Sequence, residues 1–290
     1  MALLSLGPSL LRDLIAGILF VRPPAASISA PPLHSDAVLQ TRLQSVRATM
    51  LRGSMGAVVV DVQTGASASV DAEQPFPAAS LFKVPLLVEI LAEGDRGQLD
   101  AERRLEIRPE DWTDGSGVLQ ARVGDRLSVR ELTQLMIQES DNIAALVLLD
   151  AVGVTTTNAT ADQLGLHATR LVDHRAGDTG EHTTSAADMA HVLVGLASGT
   201  VINQHVSEEA LGLLELKQSV SWLGDGLPFW VKVAHKWGDL PDARNDAGVV
   251  FTPRGSYVAV VLTQGGVPEE TATAIARVSR VGYDYLGTRP

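Results

Sequence analysis

The chain has 290 residues, and its 45% hydrophobic content excludes a disordered or a fibrous protein. Its formal net charge is −11 and no run of lysine or arginine stands out, which argues against a nucleic-acid partner or an anionic lipid surface. Cysteine is absent, so disulfides, thiolate metal sites and a cysteine nucleophile are excluded, while the redox compartment stays open.

Residues 1–34 differ from the remainder of the chain and are predicted to be a leader. The apolar run Leu14–Val21 precedes the proline- and alanine-rich stretch Arg22–Ala26, as in a signal peptide and its exit. Asp13 beside Arg12 weakens the positive start that such a peptide has, so a disordered leader is the alternative. If residues 1–34 are a signal peptide, the protein is expected to be secreted or periplasmic. If they are a disordered leader, a cytoplasmic location is the alternative. The run is too short for a stable membrane span.

The next part of the chain begins with a helix and a hairpin. Apolar spacing predicts a helix over residues 35–53, and the strands Gly56–Asp61 and Ala66–Val70 flank a turn at Gln63–Gly65. From Pro77 to about Gln218 the pattern changes to helices joined by loops. Ser128-x-x-Glu131 is a capping box that opens one of these helices.

Strands return near the C-terminus. They are predicted at Phe229–Lys236, Ala247–Phe251 and Tyr257–Leu262, before a last amphipathic helix over about Glu269–Tyr285. Two small groups of strands are more stable together than apart. We therefore predict an α/β fold of the α+β type, in which both chain ends build one antiparallel sheet of about five strands, packed with the terminal helices.

The helical segment interrupts this sheet, so the catalytic domain, residues 35–290, is predicted to have two lobes. The sheet lobe comprises residues 35–72 and 229–290, and the inserted all-helical lobe comprises residues 73–228. A cleft between two lobes is the natural place for a small-molecule site.

The first chemical motif is Ser80-Leu-Phe-Lys83, at the start of an apolar helix. Residues three apart share a helix face, so the Lys83 amine can reach the Ser80 hydroxyl. Serine becomes a good nucleophile when a base removes its proton, and a lysine kept neutral by burial is such a base. Alone the motif is weak evidence for catalysis, because a helix-capping serine followed three residues later by a solvated lysine has the same sequence pattern.

The second motif is Ser140-Asp141-Asn142, between two predicted helices. A hydroxyl there can pass a proton to a leaving amine, and the asparagine amide can bind a substrate carbonyl. An ordinary turn between helices prefers the same residue types.

The third motif is His235-Lys236-Trp237-Gly238, at the end of a predicted strand. Lys236 can hold a substrate carboxylate by charge, while Gly238 lets a substrate approach the backbone. An edge-strand lysine before a turn glycine is the plain alternative, and His235 is interpreted as a packing residue.

Together, the order and context of the three motifs resemble the class A β-lactamase and serine penicillin-binding-protein superfamily, over residues 35–287. Gly115–Gln120, which leads toward the second motif, adds to the resemblance. The resemblance implies a bacterial hydrolase without a cofactor, with these roles: acylated nucleophile Ser80, base or proton relay Lys83, second relay Ser140, substrate ligand Asn142 and electrostatic anchor Lys236. It also implies an oxyanion hole from the backbone N–H groups of Ser80 and Asp239, with Gly238 beside it.

The sequence departs from the family at two places. Trp237 replaces the usual Thr or Ser, so a hydroxyl that helps to hold the β-lactam carboxylate is missing. Class A enzymes also carry a Glu that activates the water for hydrolysis of the acyl-enzyme, and the corresponding segment, Val172–His182, is short and lacks a Glu in that pattern. Five side chains of this segment are possible substitutes: Asp173, Asp178, Glu181, His174 and His182. Their spacing matches no common zinc pattern, so no metal is predicted.

Three functions stay open at this point. The leading one is hydrolysis of β-lactams or related amides and esters through an acyl-enzyme at Ser80. The second is a D-alanyl peptidase or esterase-like relative, and the third is a penicillin-binding sensor that acylates without efficient turnover. The oligomeric state does not follow from the sequence.

Overall fold

A computed structural model describes residues 31–288, and its regular elements are named here in chain order. The strands are β1 His34–Ser35, β2 Ser54–Asp61, β3 Ala66–Val70, β4 Pro75–Pro77, β5 Arg104–Glu106, β6 Arg126–Ser128, β7 Thr183–Ser185, β8 Lys232–Leu240, β9 Ala243–Thr252 and β10 Gly255–Gln264. The helices are α1 Ala37–Arg47, α2 Lys83–Asp95, α3 Val129–Gln138, α4 Asn142–Val152, α5 Val154–Gln163, α6 Ala186–Ala197, α7 Gln204–Leu214, α8 Trp222–Asp225 and α9 Pro268–Gly282. Short 3₁₀ turns cover Ala79–Phe82 and Pro109–Asp111, and a π turn covers Tyr283–Gly287.

The main sheet joins the two ends of the chain, as predicted. Its strand order is β1-β3-β2-β10-β9-β8, and all neighbours are antiparallel except the two-residue β1, which is parallel to β3. The predicted five antiparallel strands are thus present, and β1 adds a sixth.

Alternate residues of the central strands face two different cores, because successive side chains of a strand point to opposite faces. Val58 and Val260 belong to the core shared with the helical lobe. Val59 and Val261 belong to the core under the terminal helices α1 and α9. A sheet buried on both faces explains why the strands are nearly continuous apolar runs.

The short helix α8 lies on the outer side of the sheet. Its Leu223 is fully buried in the core that also holds Ile275 of α9. The sequence assigns residues 222–225 to the helical lobe, but their contacts are with α9, β8 and β9.

The helical lobe is organised around α2 and α4, whose residues are mostly buried. The predicted capping box opens α3: the Glu131 N–H donates to Ser128 Oγ over 3.1 Å, and the Ser128 N–H donates to Glu131 Oε2 over 2.7 Å. Gly153 ends α4 with a φ of +87°, a conformation that suits glycine. The two-stranded sheet of β4 and β7 links this lobe to the nucleophile region.

The predicted strand Phe229–Lys236 is displaced in the structure. The Val231 N–H donates to the Pro228 carbonyl over 2.9 Å, so the chain turns there, and Phe229 and Trp230 are exposed. The strand then runs to Leu240 and pairs with β9 through a tight turn that the sequence analysis missed. Lys236 therefore lies in the middle of β8 and not at its end.

Residues 1–30, most of the predicted leader, lie outside the described residues. The first described strand is β1, where His34 pairs with Ala66. Within residues 31–288 no single helix is long and apolar enough to cross a membrane. Helices α4 and α5 reach that length and apolar content only together, and they are bent by 82° relative to each other.

Candidate active site

Ser80 lies in the 3₁₀ turn that runs directly into α2. Ala79, just before it, has a φ of +46°, which is strained for a residue with a Cβ. Asn245 of β9 holds the approach to this turn: its Nδ2 donates to the Pro77 carbonyl over 2.8 Å and to the Ala78 carbonyl over 3.3 Å. The sheet thus fixes the backbone that presents the Ser80 hydroxyl.

Gly238 of β8 packs directly against the same turn. A Cβ at this position would lie 2.8 Å from the Ser80 nitrogen and 2.8 Å from the Ala79 Cβ. Glycine is therefore required for the strand to approach the turn so closely. The sequence predicts that Gly238 makes room for a substrate, and the structure shows that it makes room for the Ser80 turn.

Lys83 is fully buried at the start of α2 and contacts Ser80, Ser140 and Asn142 of the first two motifs. Its Nζ lies 3.2 Å from Ser80 Oγ and 3.2 Å from Ser140 Oγ. The same Nζ donates to the Ser140 carbonyl over 2.6 Å and to Asn142 Oδ1 over 2.8 Å. The contact between Ser80 and Lys83 that the spacing predicted is present.

Ser140 lies between α3 and α4, with a φ of +53°. This backbone conformation is uncommon for serine. Ser140 is fully buried, and its Oγ lies 3.0 Å from Ser80 Oγ.

Asp141, the middle residue of the motif, builds the corner that holds Ser140. Its Oδ1 accepts the Ala144 N–H over 2.8 Å and caps α4. Its Oδ2 accepts the N–H groups of Val118 and Leu119 over 2.6 and 3.0 Å. The segment that resembled the family, Gly115–Gln120, is thereby tied to the second motif.

Asn142 faces the opening of the site. It is partly exposed, its Oδ1 is taken by Lys83, and its Nδ2 donates to the Asp114 carbonyl over 3.3 Å. The Nδ2 group is therefore the part of the amide that can donate to a substrate carbonyl. To do so, it must give up its long hydrogen bond to the Asp114 carbonyl.

Lys236 is fully buried in β8, on the strand that carries Gly238. Its Nζ donates to the Trp237 carbonyl over 2.9 Å and lies 4.7 Å from the centroid of the Trp237 ring. Burial lowers the pKa of Lys236 to about 7, although Asp246 opposes this shift.

The backbone of Asp239 lies on the free edge of β8, since β8 is the last strand of the sheet. The His235 carbonyl accepts a hydrogen bond from the Gln218 side chain and so faces away from β9. Ladder bonds alternate along an antiparallel strand, so the N–H of Asp239 faces the same free edge. The Asp239 carboxylate is bound elsewhere, by Arg244 at 3.2 Å.

The loop over residues 171–182 is closed at its base by paired bonds of 3.0 Å between Arg170 and Thr183. Arg175 fastens the loop to the helical lobe through ion pairs with Asp111 and Asp150. The loop end reaches the nucleophile turn, where the Ala78 N–H donates to the His182 carbonyl over 2.7 Å.

The five loop side chains proposed as substitutes for the missing Glu are placed differently. Asp178, Glu181 and His174 are exposed. Asp173 Oδ1 accepts the N–H groups of Arg175 and Ala176 over 3.1 Å and so builds the local turn.

Only His182 packs inward, with its ring 4.1 Å from the Phe82 ring. Its Nδ1 accepts the Val172 N–H over 2.9 Å, and burial, aided by His174 and Lys83, lowers its pKa to about 4. His182 is therefore a neutral imidazole at physiological pH, with its proton on Nε2.

The surroundings of Lys83 determine what the site can do chemically. Burial and the positive charge of Lys236 hold the pKa of Lys83 well below its usual range, against the pull of Asp141. The Ser140 carbonyl and Asn142 Oδ1 can only accept, so a neutral amine donates its two protons to them. Its one lone pair then remains for the Ser80 hydroxyl, whose oxygen accepts from Ser140 Oγ, and Lys83 can remove a proton from Ser80.

Two residues of β9 that support the site, Asn245 and Asp246, were not predicted from the sequence. Asn245 fixes the Ser80 turn, and Asp246 accepts from His235 at 2.8 Å and from the Leu223 N–H at 3.0 Å. The signal was available: Asn-Asp directly before an apolar strand is a polar pair that the sheet must bury. Among residues 31–288 there is no group of three or more His, Cys, Asp or Glu side chains suited to a metal ion.

Fold and site together define the class: this is a serine hydrolase of the β-lactamase and transpeptidase fold. The chain matches the β-lactamase enzyme family over residues 38–286 and belongs to it.

Individual proteins similar to this chain in sequence or structure are consistent with this family. β-Lactamase L2 of Stenotrophomonas maltophilia is 28% identical in an alignment of 279 residues that covers 91% of each chain. PBP-A is similar in structure, with a TM-score of 0.81 at 28% identity over 88% of this chain and 98% of its own, and a variant of it is an acyl-enzyme complex with penicillin G. An ancestral class A β-lactamase gives a TM-score of 0.77 at 28% identity, over 85% of this chain and 99% of its own.

Proposed function

We propose that Ser80 attacks the carbonyl of a β-lactam, or of a related amide or ester, and becomes acylated. The contacts of Lys83 carry this proposal. Two acceptor-only partners, at 2.6 and 2.8 Å, leave its lone pair directed at the Ser80 hydroxyl. The penicillin complex of the PBP-A variant supports a β-lactam as the acyl donor.

The proton follows a short path in this proposal. Lys83 takes the Ser80 proton while Oγ forms its bond to the carbonyl carbon. When the bond to the leaving nitrogen or oxygen breaks, Ser140 donates its hydroxyl proton to the leaving atom. Lys83 then returns its proton to Ser140, 3.2 Å away, so that only Ser80 is changed.

The negative charge on the carbonyl oxygen needs two donors. The backbone N–H of Ser80 is one, and the free-edge N–H of Asp239 is the other. The close approach of Gly238 to the Ser80 nitrogen brings these two backbone segments together, which supports this oxyanion hole.

Hydrolysis of the acyl-enzyme is proposed to be slow. Among the hydrogen bonds of the described residues, none joins a carboxylate of the loop to Ser80, Lys83 or Ser140. The half-buried His182 has its Nδ1 occupied by Val172 and, with a pKa of about 4, is a weak base. Slow hydrolysis favours a penicillin-binding acylation centre, or a slow peptidase or esterase, over a fast β-lactamase.

The test is time-resolved intact mass of the protein with penicillin G. We expect one equivalent of adduct on Ser80 that persists for minutes or longer, and no adduct with Ser80→Ala. An adduct retained in Ser80→Ala contradicts the proposal, and so does the absence of acylation by β-lactams, amides and esters alike.

A further inference from the structure

The ammonium of Lys236 is enclosed next to the proposed acylation centre, and the Trp237 ring forms one wall of the enclosure. Lys236 is 0% exposed and Trp237 is 8% exposed. The Nζ lies over the indole face, 4.7 Å from its centroid, a distance at which a cation and an aromatic ring attract each other.

The ring is held in place by its neighbours. Trp222 of α8 contacts it edge to face, with 6.1 Å between centroids. The Arg244 guanidinium lies 5.4 Å from the Trp222 ring and is itself fixed by Asp239 at 3.2 Å. This packed row of side chains makes the indole a stable wall.

The two sides of the site therefore differ. Ser80 and Asn142 are partly exposed and open to a substrate. A carboxylate can reach the Lys236 ammonium only by displacing its surroundings, including the π contact with Trp237. The lowered pKa of Lys236 also leaves it only partly charged at neutral pH, so it is a weak attractant for an anion.

We propose that Trp237 is a specificity-determining residue that shields Lys236 and sets the site to acyl donors with no carboxylate beside the scissile bond. This inference rests on the proposed acylation of Ser80. Neutral esters and amides are the substrate class that it assigns.

A matched pair of probes tests it: penicillin G and its methyl ester, which differ only in the free carboxylate. The measured quantity is the ratio of the acylation efficiency with the acid to that with the ester, for adducts mapped to Ser80. We expect a ratio of about one or lower for the unchanged protein. Trp237→Thr, which opens the wall, should raise the ratio at least tenfold, since a direct contact between ions of opposite charge is gained.

Three further variants complete the design. Trp237→Phe keeps an aromatic, though smaller, wall, and the indole N–H that it removes has no partner among the described residues, so the ratio should stay low. Trp230→Thr makes the same Trp-to-Thr change at an exposed site and should also leave it unchanged. Combined with Trp237→Thr, Lys236→Met should abolish the rise in the acid-to-ester ratio. As a single substitution, it should change this ratio little.

The outcomes separate the two proposals. An unchanged protein that already favours the acid tenfold or more overturns the shielding, and so does a folded Trp237→Thr variant with an unaltered ratio while Ser80 still acylates. Absence of a Ser80 adduct with both probes and all variants counts against the proposed function. Thermal unfolding of each variant shows whether it is folded.

Discussion

The hydroxyl oxygens of Ser80 and Ser140 lie 3.0 Å apart, although 60 residues separate them in the chain. Ser140→Ala removes the proposed donor to the leaving group and leaves the nucleophile in place. We expect acylation by penicillin G to slow by about 10²–10⁴-fold, the loss typical of a missing acid catalyst. Mass mapping should still find the adduct on Ser80. Acylation at the original rate would show that Ser140 moves no proton.

Lys83→Ala should slow acylation by about 10²–10⁴-fold at neutral pH, because it removes the proposed base. In the unchanged protein, acylation by a neutral ester should rise with pH as Lys83 loses its proton, with a midpoint well below the ordinary lysine pKa of 10.5. Stopped-flow or mass-based rates across pH measure this midpoint. A midpoint near 10.5 would exclude Lys83 as the base.

The charge of Lys236 contributes to that midpoint. Lys236→Met removes a positive neighbour of Lys83, so the pKa of Lys83 rises and the midpoint should move to higher pH. Lys232→Met is the matched control, since Lys232 lies on the same strand but is exposed and pairs with Glu215 at the surface. A midpoint that shifts equally in both variants, or in neither, contradicts the proposed coupling.

Asp141→Ala should destabilise the fold by about 3 kcal/mol, because three backbone N–H groups lose their acceptor at a buried corner. Asp141→Asn keeps a capping oxygen for α4 and should lose less. Urea unfolding midpoints measure the difference. A loss below about 1 kcal/mol for the alanine variant would mean that water replaces these bonds.

Among the described residues, no carboxylate of the loop over residues 171–182 is hydrogen-bonded to Ser80, Lys83 or Ser140. We therefore expect a burst of product before steady turnover. The first equivalent of product should form with a chromogenic cephalosporin faster than the turnover that follows. Alanine at Asp178 or Glu181 should leave the slow phase unchanged, because both side chains are exposed. Rapid linear turnover without an accumulated adduct would contradict slow hydrolysis, and a loss of that turnover in one alanine variant would identify the base.

Much of the site could be predicted because its chemistry is encoded in short segments. Ser80 and Lys83 share one turn, and Ser140–Asn142 share one corner, so these short motifs, taken together and with their resemblance to the β-lactamase superfamily, were enough to predict them.

What could not be predicted depends on contacts between distant segments. The end of β8 is set by pairing with β9, so apolar spacing alone placed the strand too early. The role of Gly238 depends on a turn that lies more than half the chain away, and its backbone contact with Ser80 has no local signature. The enclosure of Lys236 likewise requires the tertiary position of Trp222.

The bond from Asn245 to Pro77 spans 168 residues and has a consequence for when activity arises. Contacts between segments so far apart form late, because closing a long loop costs chain entropy before the contact is made. The backbone before Ser80 gains this support only when β9 has joined the sheet. A nascent chain in which residue 245 has not yet been synthesised therefore holds Ser80 and Lys83 on the same turn without this support, and we expect acylation only after β9 has been made and has joined the sheet.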